Sequence, residues 1–121
     1  MEHKFDLIGS IRNALRGIIV TVKTQRNARI HLLATIIVIA VGFAFQVSRG
    51  DWLWLIAAIA AVWITELLNT AIELLTDLAS PQWHPLARDA KDIAAGAVLV
   101  SAIAALVVGV VVLAPYIAAH V

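Results

Sequence analysis

Cysteine is absent from the sequence, and charged residues are scarce. Without cysteine, disulfide bonds and thiolate metal sites are excluded. Only 14% of the residues are charged, whereas soluble domains carry about 25%, so we expect an integral membrane protein. The net charge of +1 gives no reason to expect a nucleic-acid partner. No small-residue cleavage site follows the first apolar stretch, so we expect no cleavable signal peptide.

Long apolar stretches are what the sequence does contain. A membrane-crossing helix needs ~20 apolar residues, and three stretches supply them, at 30–47, 52–75 and 93–119. Because lipid cannot satisfy open backbone groups, these stretches are expected to be helices rather than strands. We therefore predict a single domain, 1–121, that is an all-α membrane protein with three transmembrane helices.

The segment before the first span, 1–29, has the pattern of an amphipathic surface helix. Five apolar residues recur at spacings of three and four, which places them on one helical face: Ile8, Ile11, Leu15, Ile18 and Val22. Its cations would then lie near anionic headgroups of the bilayer. A helix packed on the protein's own loops is the alternative.

The distribution of lysine and arginine predicts how the chain crosses the membrane. Six of these cations lie in residues 1–30, one lies in the loop at 48–51, and two lie in the loop at 76–92. Loops rich in lysine and arginine stay on the cytoplasmic side. The N-terminus and the second loop are therefore expected in the cytoplasm.

Polar residues interrupt the second span on one face only. Spacings of three, four and four residues bring four of them to the same side of a helix: Glu66, Asn69, Glu73 and Asp77. A carboxylate at membrane depth costs at least ~2.5 kcal/mol, so two glutamates here indicate a function. The alternative is a helix–helix contact, although asparagine alone would provide one at lower cost.

A carboxylate-lined cleft beside a lysine suits phosphoryl transfer. Mg²⁺ is usually bound by one or two carboxylates and the substrate phosphates, and Mg²⁺ with lysine can neutralise a transferring phosphoryl group. Lys91 can reach the Glu73–Asp77 face, although Lys91 and Asp92 taken alone fit interfacial anchoring and helix capping. A proton-coupled transporter also places glutamates in a span, so this pattern leaves both functions open.

Longer motifs resemble a known family. The run Glu66-Leu67-Leu68-Asn69-Thr70-Ala71-Ile72-Glu73 is followed by Asp77, His84 and Ala90-Lys91-Asp92-Ile93-Ala94-Ala95-Gly96. Together with Arg26-Asn27-Ala28-Arg29-Ile30-His31, these motifs resemble the small prokaryotic diacylglycerol kinase family over about residues 5–110. The resemblance implies a homotrimer in the bacterial cytoplasmic membrane that transfers the γ-phosphoryl group of MgATP to a lipid alcohol.

The resemblance also implies roles for individual residues. Glu66 would be the general base at the lipid hydroxyl, Asn69 would orient the site, and Glu73 would bind Mg²⁺. Arg29 would contact the lipid substrate together with Glu66. The residues implied at the nucleotide are Gln82, Trp83, His84, Lys91, Asp92 and Asp77.

One position departs from the family pattern. A glutamate that is a second ligand of the metal usually precedes the Arg-Asn-x-Arg-Ile-His run, and here that residue is Gln25. A glutamine carbonyl can bind Mg²⁺ but carries no charge. We expect weaker metal binding unless Asp77 or a nucleotide phosphate supplies the missing charge.

Substrate and assembly are less closely defined. The motifs resemble those of the family members that phosphorylate undecaprenol more than those of the members that phosphorylate diacylglycerol. A small exporter, which would need four spans, and a non-catalytic assembly subunit remain alternative hypotheses.

Small residues recur along the third span and could pack within the chain or between subunits: Ala97, Ser101, Ala105 and Gly109. His31 is expected to be a satisfied polar anchor, and it is also a candidate for lining the site.

Overall fold

Four helices account for most of the chain that the structure covers. The computed structural model describes residues 6–121, and over this range it contains helices and no strand. The helices are α1 (Leu7–Thr24), α2 (Arg26–Ala44), α3 (Arg49–Ala79) and α4 (Pro85–Ala119). The last three are each long and apolar enough to cross a membrane. The all-helical class and the three long apolar helices are thereby confirmed.

The N-terminal segment is divided differently from the predicted 1–29 element, of which residues 1–5 lie outside the described range. A helix, α1, begins after Asp6, whose side chain accepts a hydrogen bond from the Gly9 N–H at 3.1 Å. Gln25 has an extended backbone, with φ −111° and ψ 118°. The chain therefore leaves the helix at Gln25, and α2 already begins at Arg26 rather than at residue 30.

Helices α3 and α4 form the main packing unit. Lys91 Nζ donates to Asp77 at one end of the pair, and Tyr116 Oη donates to Asp51 at the other. Because residue numbers rise along α3 while they fall along α4, the two helices run antiparallel.

Both helices extend beyond the predicted spans 52–75 and 93–119, and their caps explain why. The Ser48 side chain accepts the N–H of Asp51 at the start of α3. Pro85 is the first residue of α4, where the missing proline N–H would have no helical partner in any case. Pro115 lies inside α4 rather than ending it.

Helix α2 packs against α3 at two levels. The indole ring of Trp52 covers Gly42, and its centroid lies 5.0 Å from that of Phe43. Nearer the start of α2, Trp63 Nε1 donates to Thr35 Oγ1 at 3.0 Å. These contacts fix the face that α2 presents to α3.

Few side chains are buried, as expected for a chain surrounded by lipid rather than water. Large apolar residues are exposed along α2, α3 and α4, and in lipid such exposure carries no hydrophobic penalty. A small core forms around Val47, Leu55 and Val112. The two largest fully buried side chains are Leu55 and Glu66, so one of the two is a carboxylic acid.

Candidate active site

Glu66 is the centre of the candidate site. Its side chain is 0% exposed, and neither carboxylate oxygen has a hydrogen-bond partner among the described residues. Leaving such a group unpaired is costly, because a buried carboxylate loses the water that would solvate it. The His31 imidazole lies opposite this carboxylate, with Nε2 3.7 Å from Oε2 of Glu66. That distance is too long for a hydrogen bond.

Asn69 and Glu73 form the second part of the site, one and two turns further along α3. Asn69 Nδ2 lies 3.4 Å from Glu73 Oε1, a long hydrogen bond. Asn69 is buried, and its Oδ1 has no partner within residues 6–121. An unpaired amide oxygen beside a carboxylate is a pair of oxygen donors of the type that Mg²⁺ prefers.

Lys91 and Asp77 form a contact at the C-terminal end of the same face of α3. Lys91 Nζ donates to Asp77 Oδ1 at 2.5 Å, which confirms the prediction that Lys91 can reach this face. The hydrogen bond from Lys91 to Asp77 raises the pKa of the lysine above its usual value, and the charges of Asp77 and Glu73 act in the same direction. Lys91 is therefore a cation at any pH near neutrality.

The other residues predicted at the nucleotide lie near this pair in sequence and are exposed. Gln82 and Trp83 occupy the link between α3 and α4, where Ser80 Oγ donates to the Gln82 carbonyl at 2.8 Å. His84 accepts the Leu86 N–H through Nδ1 at 3.1 Å and so caps α4. Asp92 does not cap the helix, because α4 begins at Pro85; its Oδ2 lies 3.9 Å from Arg88 Nε.

Arg29 and Gln25 lie at the junction of α1 and α2. The Arg29 guanidinium donates to the carbonyl oxygens of Val22 and Lys23, at 3.2 and 3.0 Å. These are orphan carbonyls of the last turn of α1, which a cation stabilises. The structure thus gives Arg29 a capping contact that the sequence reading did not anticipate, and its predicted contact with lipid stays a prediction. Gln25 makes no side-chain capping bond in this junction.

An apolar groove approaches the buried glutamate. It has a volume of about 480 Å³ and lies between α2, α3 and α4. Of the described residues that line it, His31 is the one titratable side chain, and Thr35 is the neighbouring polar one. The groove thus joins an apolar, lipid-like space to the residue that faces Glu66.

The structure brings some predicted residues together and leaves others apart. Asn69 contacts Glu73, and Lys91 contacts Asp77, whereas no group of three or more His, Asp or Glu side chains in the described range forms a metal site. The sequence reading expected His31 to be a satisfied anchor, but its ring faces Glu66 without a hydrogen bond. The sequence did not point to Thr35 and Trp63, whose interhelical hydrogen bond lies one turn from His31 and Glu66. The available signal was spacing, since Thr35 follows His31 by four residues and Trp63 precedes Glu66 by three.

The chain is similar to known proteins over most of its length. Residues 12–113 match the model of the prokaryotic diacylglycerol kinase family. The chain belongs to that family. It is 41% identical to the undecaprenol kinase of Bacillus subtilis over 106 residues, which cover 88% of this chain and 86% of that protein.

Diacylglycerol kinases are similar to a comparable degree. The enzyme of Synechocystis is 42% identical over 111 residues, 91% of this chain but 63% of that longer protein. The enzyme of Pseudomonas aeruginosa is 35% identical over 88 residues, 73% of this chain and 72% of its own length. Family and relatives are therefore lipid kinases, and their names divide between two lipid alcohols.

Proposed function

We propose that this protein is an ATP-dependent kinase of a membrane lipid alcohol. The observation that carries the proposal is Glu66, a fully buried and unpartnered carboxylate opposite His31, which lines an apolar groove. A structural glue would pair its polar atoms, whereas a catalytic base must leave its oxygens available to the substrate. Membership of a lipid kinase family supports the same conclusion.

Glu66 acts as general base in this proposal. The lipid hydroxyl loses its proton to the Glu66 carboxylate while its oxygen bonds to the γ-phosphorus of ATP. The bond between that phosphorus and the bridging oxygen breaks, and ADP leaves. Such a reaction depends chiefly on positioning and charge, because the protein forms no covalent intermediate. Asn69 holds the neighbouring Glu73 in place through its amide N–H.

The nucleotide is assigned to the C-terminal end of the same face of α3. Glu73 and the unpaired oxygen of Asn69 fit a Mg²⁺ ion that arrives with ATP, since one carboxylate and the substrate phosphates suffice to hold it. Bound there, Mg²⁺ neutralises charge on the phosphates. Lys91 supplies a further cation at the phosphates, with Asp77 fixing its position. Gln25 contributes a neutral oxygen at most, so metal binding is expected to be weaker than with a glutamate at this position.

The remaining predicted residues surround the nucleotide and the lipid. We assign Gln82, Trp83, His84 and Asp92 to contacts with ATP, because all four are exposed and lie near Lys91 in the sequence. Arg29 is assigned to the lipid headgroup in addition to its contact with α1. Undecaprenol is the preferred lipid of the proposal. This preference rests on the resemblance of the motifs and on the undecaprenol kinase of Bacillus subtilis, of which this chain covers 86%. Diacylglycerol is the second candidate.

The proposed setting is the bacterial cytoplasmic membrane, with the site on the cytoplasmic side. The apolar face of α1 would lie on the inner leaflet, and the cation-rich N-terminal segment would face the cytoplasm. A homotrimer is proposed because one chain buries few side chains and leaves the Glu73–Asp77 face open. The exporter hypothesis has no support, since the described residues contain three candidate spans and not four.

The test is phosphate transfer from labelled ATP in micelles with Mg²⁺, offering undecaprenol and diacylglycerol side by side. Labelled lipid should form, and Glu66→Gln should lower turnover by about 100-fold or more, the usual contribution of a general base. Asp89→Asn is the matched control, because it removes an exposed carboxylate that lies outside the site. Absence of product from both lipids, with folded protein, would favour the non-catalytic assembly subunit.

The particular effect of Gln25 has its own comparison. Gln25→Glu restores a charged ligand, so the Mg²⁺ concentration that gives half-maximal turnover should fall. An unchanged Mg²⁺ dependence would remove Gln25 from the metal site.

A further inference from the structure

The contact between His31 and Glu66 joins two helices at the buried end of the site. His31 belongs to α2 and Glu66 to α3, and their Nε2 and Oε2 atoms are 3.7 Å apart. The Glu66 side chain is completely buried, whereas that of His31 is 16% exposed. Imidazole therefore touches both the hidden carboxylate and the groove that leads away from it.

Backbone and side-chain bonds hold His31 in this position. Its carbonyl oxygen accepts a hydrogen bond from Thr35 Oγ1 at 2.7 Å, and the same Oγ1 accepts the indole N–H of Trp63 at 3.0 Å. Trp63 lies on α3, three residues before Glu66. One side-chain hydrogen bond thus joins α2 to α3 within a turn of the His31–Glu66 contact. Catalytic hydrogen bonds that are long in the free enzyme often shorten when the substrate binds.

Few other charged groups act on this contact. Glu73, on the same helix as Glu66, adds a negative charge nearby. Within the described range, neither α1 nor α4 forms an ion pair with either member. His31 is consequently the group that can exchange a proton with Glu66.

Resting on the proposed function, we propose that His31 is a positioning and relay residue for the general base. Neutral His31, with its proton on Nδ1, presents the lone pair of Nε2 to Glu66 and removes the alcohol proton from the glutamate after the reaction. The steps balance without a further reactant. The O–H bond of the lipid breaks and the proton moves to Glu66. The proton then passes to the free Nε2 of neutral His31, the Nδ1 proton leaves to water from the partly exposed ring, and Glu66 returns to its ionised form. Exchange with water restores the Nδ1–H tautomer.

Without this residue, a fully buried acid would have to return its proton to water directly. Imidazole is suited to the task because its charge changes readily between pH 5 and 8. The relay therefore predicts that His31 limits repeated turnover and its pH dependence, while the binding of ATP and lipid depends on it little.

The experiment measures lipid phosphorylation in micelles for the wild type, His31→Gln and His31→Ala between pH 5.5 and 9. Both variants should lower kcat by about tenfold or more, with KM for ATP and lipid within about threefold of the wild type. The acid-side limb of the pH profile should change. Added imidazole should restore turnover to His31→Ala, in proportion to its unprotonated fraction, and should leave His31→Gln unchanged because the glutamine fills the space.

A second histidine provides the matched control. His120 lies at the far end of α4, where its ring packs against Phe45, and His120→Gln should keep the wild-type profile. If His31→Gln turned over within about twofold of wild type with the same profile, the relay would be wrong. The same holds if the variants were inactive and imidazole had no effect, since His31 would then serve structure alone. A wild-type protein without kinase activity would instead overturn the proposed function, and the relay with it.

Discussion

The Tyr116 end of the α3–α4 pair and the region around Glu66, further along α3, differ in whether their polar groups are paired. At the end near Tyr116, the Ser48 N–H donates to the tyrosine oxygen at 3.0 Å, and the tyrosine donates to Asp51. In the Glu66 region, both carboxylate oxygens lack a partner within the described chain, as does the Asn69 oxygen. Polar groups removed from water are normally paired. The paired end holds the helices together, whereas the unpaired region has the free polar atoms that the proposed site requires.

The largest effect should follow from changing the unpaired region. Glu66→Gln should lower turnover by about 100-fold or more, yet leave thermal stability equal or higher. The reason is that an amide is less costly than a carboxylate in a buried site without partners. Parallel assays of activity and of thermal unfolding by circular dichroism would separate the two effects. A clear fall in the unfolding midpoint would mean that Glu66 serves the fold.

A change in packing near the paired end should have the opposite effect, lowering stability and leaving activity unchanged. A Cβ atom on Gly42 would lie 2.5 Å from the Trp52 ring, so Gly42→Ala should reduce stability by about 1–3 kcal/mol through overpacking. Activity per folded molecule should be kept. Chemical unfolding in micelles measures the first quantity, and labelled phosphate transfer measures the second.

Gly109→Ala is the matched comparison for Gly42→Ala. Nothing lies within 4 Å of a Cβ at Gly109, so the single chain accommodates alanine there. Stability of the monomer should not fall. Loss of the oligomer on size-exclusion chromatography would place the small-residue stripe between subunits, and a retained oligomer would place it elsewhere.

Removing the Tyr116 hydroxyl at the paired end should have a smaller effect. Tyr116→Phe abolishes both the donation to Asp51 and the acceptance from Ser48, at a cost of about 1 kcal/mol of unfolding free energy. Turnover should be unchanged. A double-mutant cycle with Asp51→Asn would measure the coupling, and additive effects would show that the contact contributes nothing.

The smallest effect is expected from pH at the Lys91–Asp77 pair. The hydrogen bond to Asp77 raises the pKa of Lys91, so its contribution is fully present below the ordinary lysine pKa of about 10.4. It is lost only as pH rises through the higher folded value. Unfolding midpoints of wild type and Lys91→Met should therefore differ by the same amount at pH 6 and pH 9. A difference that changes over this range would show that another group titrates there.

Much of the site was readable from the chain because helix periodicity is local. Glu66, Asn69 and Glu73 share a face of α3 by spacing alone, and the reach of Lys91 to Asp77 follows from a short link between two helices. Helix ends were less accessible, because they depend on capping bonds. Ser48 and Pro85 begin α3 and α4 earlier than apolarity indicates, and the extended backbone of Gln25 divides the N-terminal segment in two.

The sequence by itself determined that this is a membrane protein. It also determined the helical class, the three long apolar helices and the family. Each of these depends on composition, on periodicity or on motifs of a few residues. Only the tertiary structure decided which polar groups are paired. It directed the Arg29 guanidinium to the end of α1, left Glu66 buried without a partner, and brought His31 to face it from another helix. The physical reason is that burial and partnership depend on how helices pack, and packing joins residues that no local pattern connects.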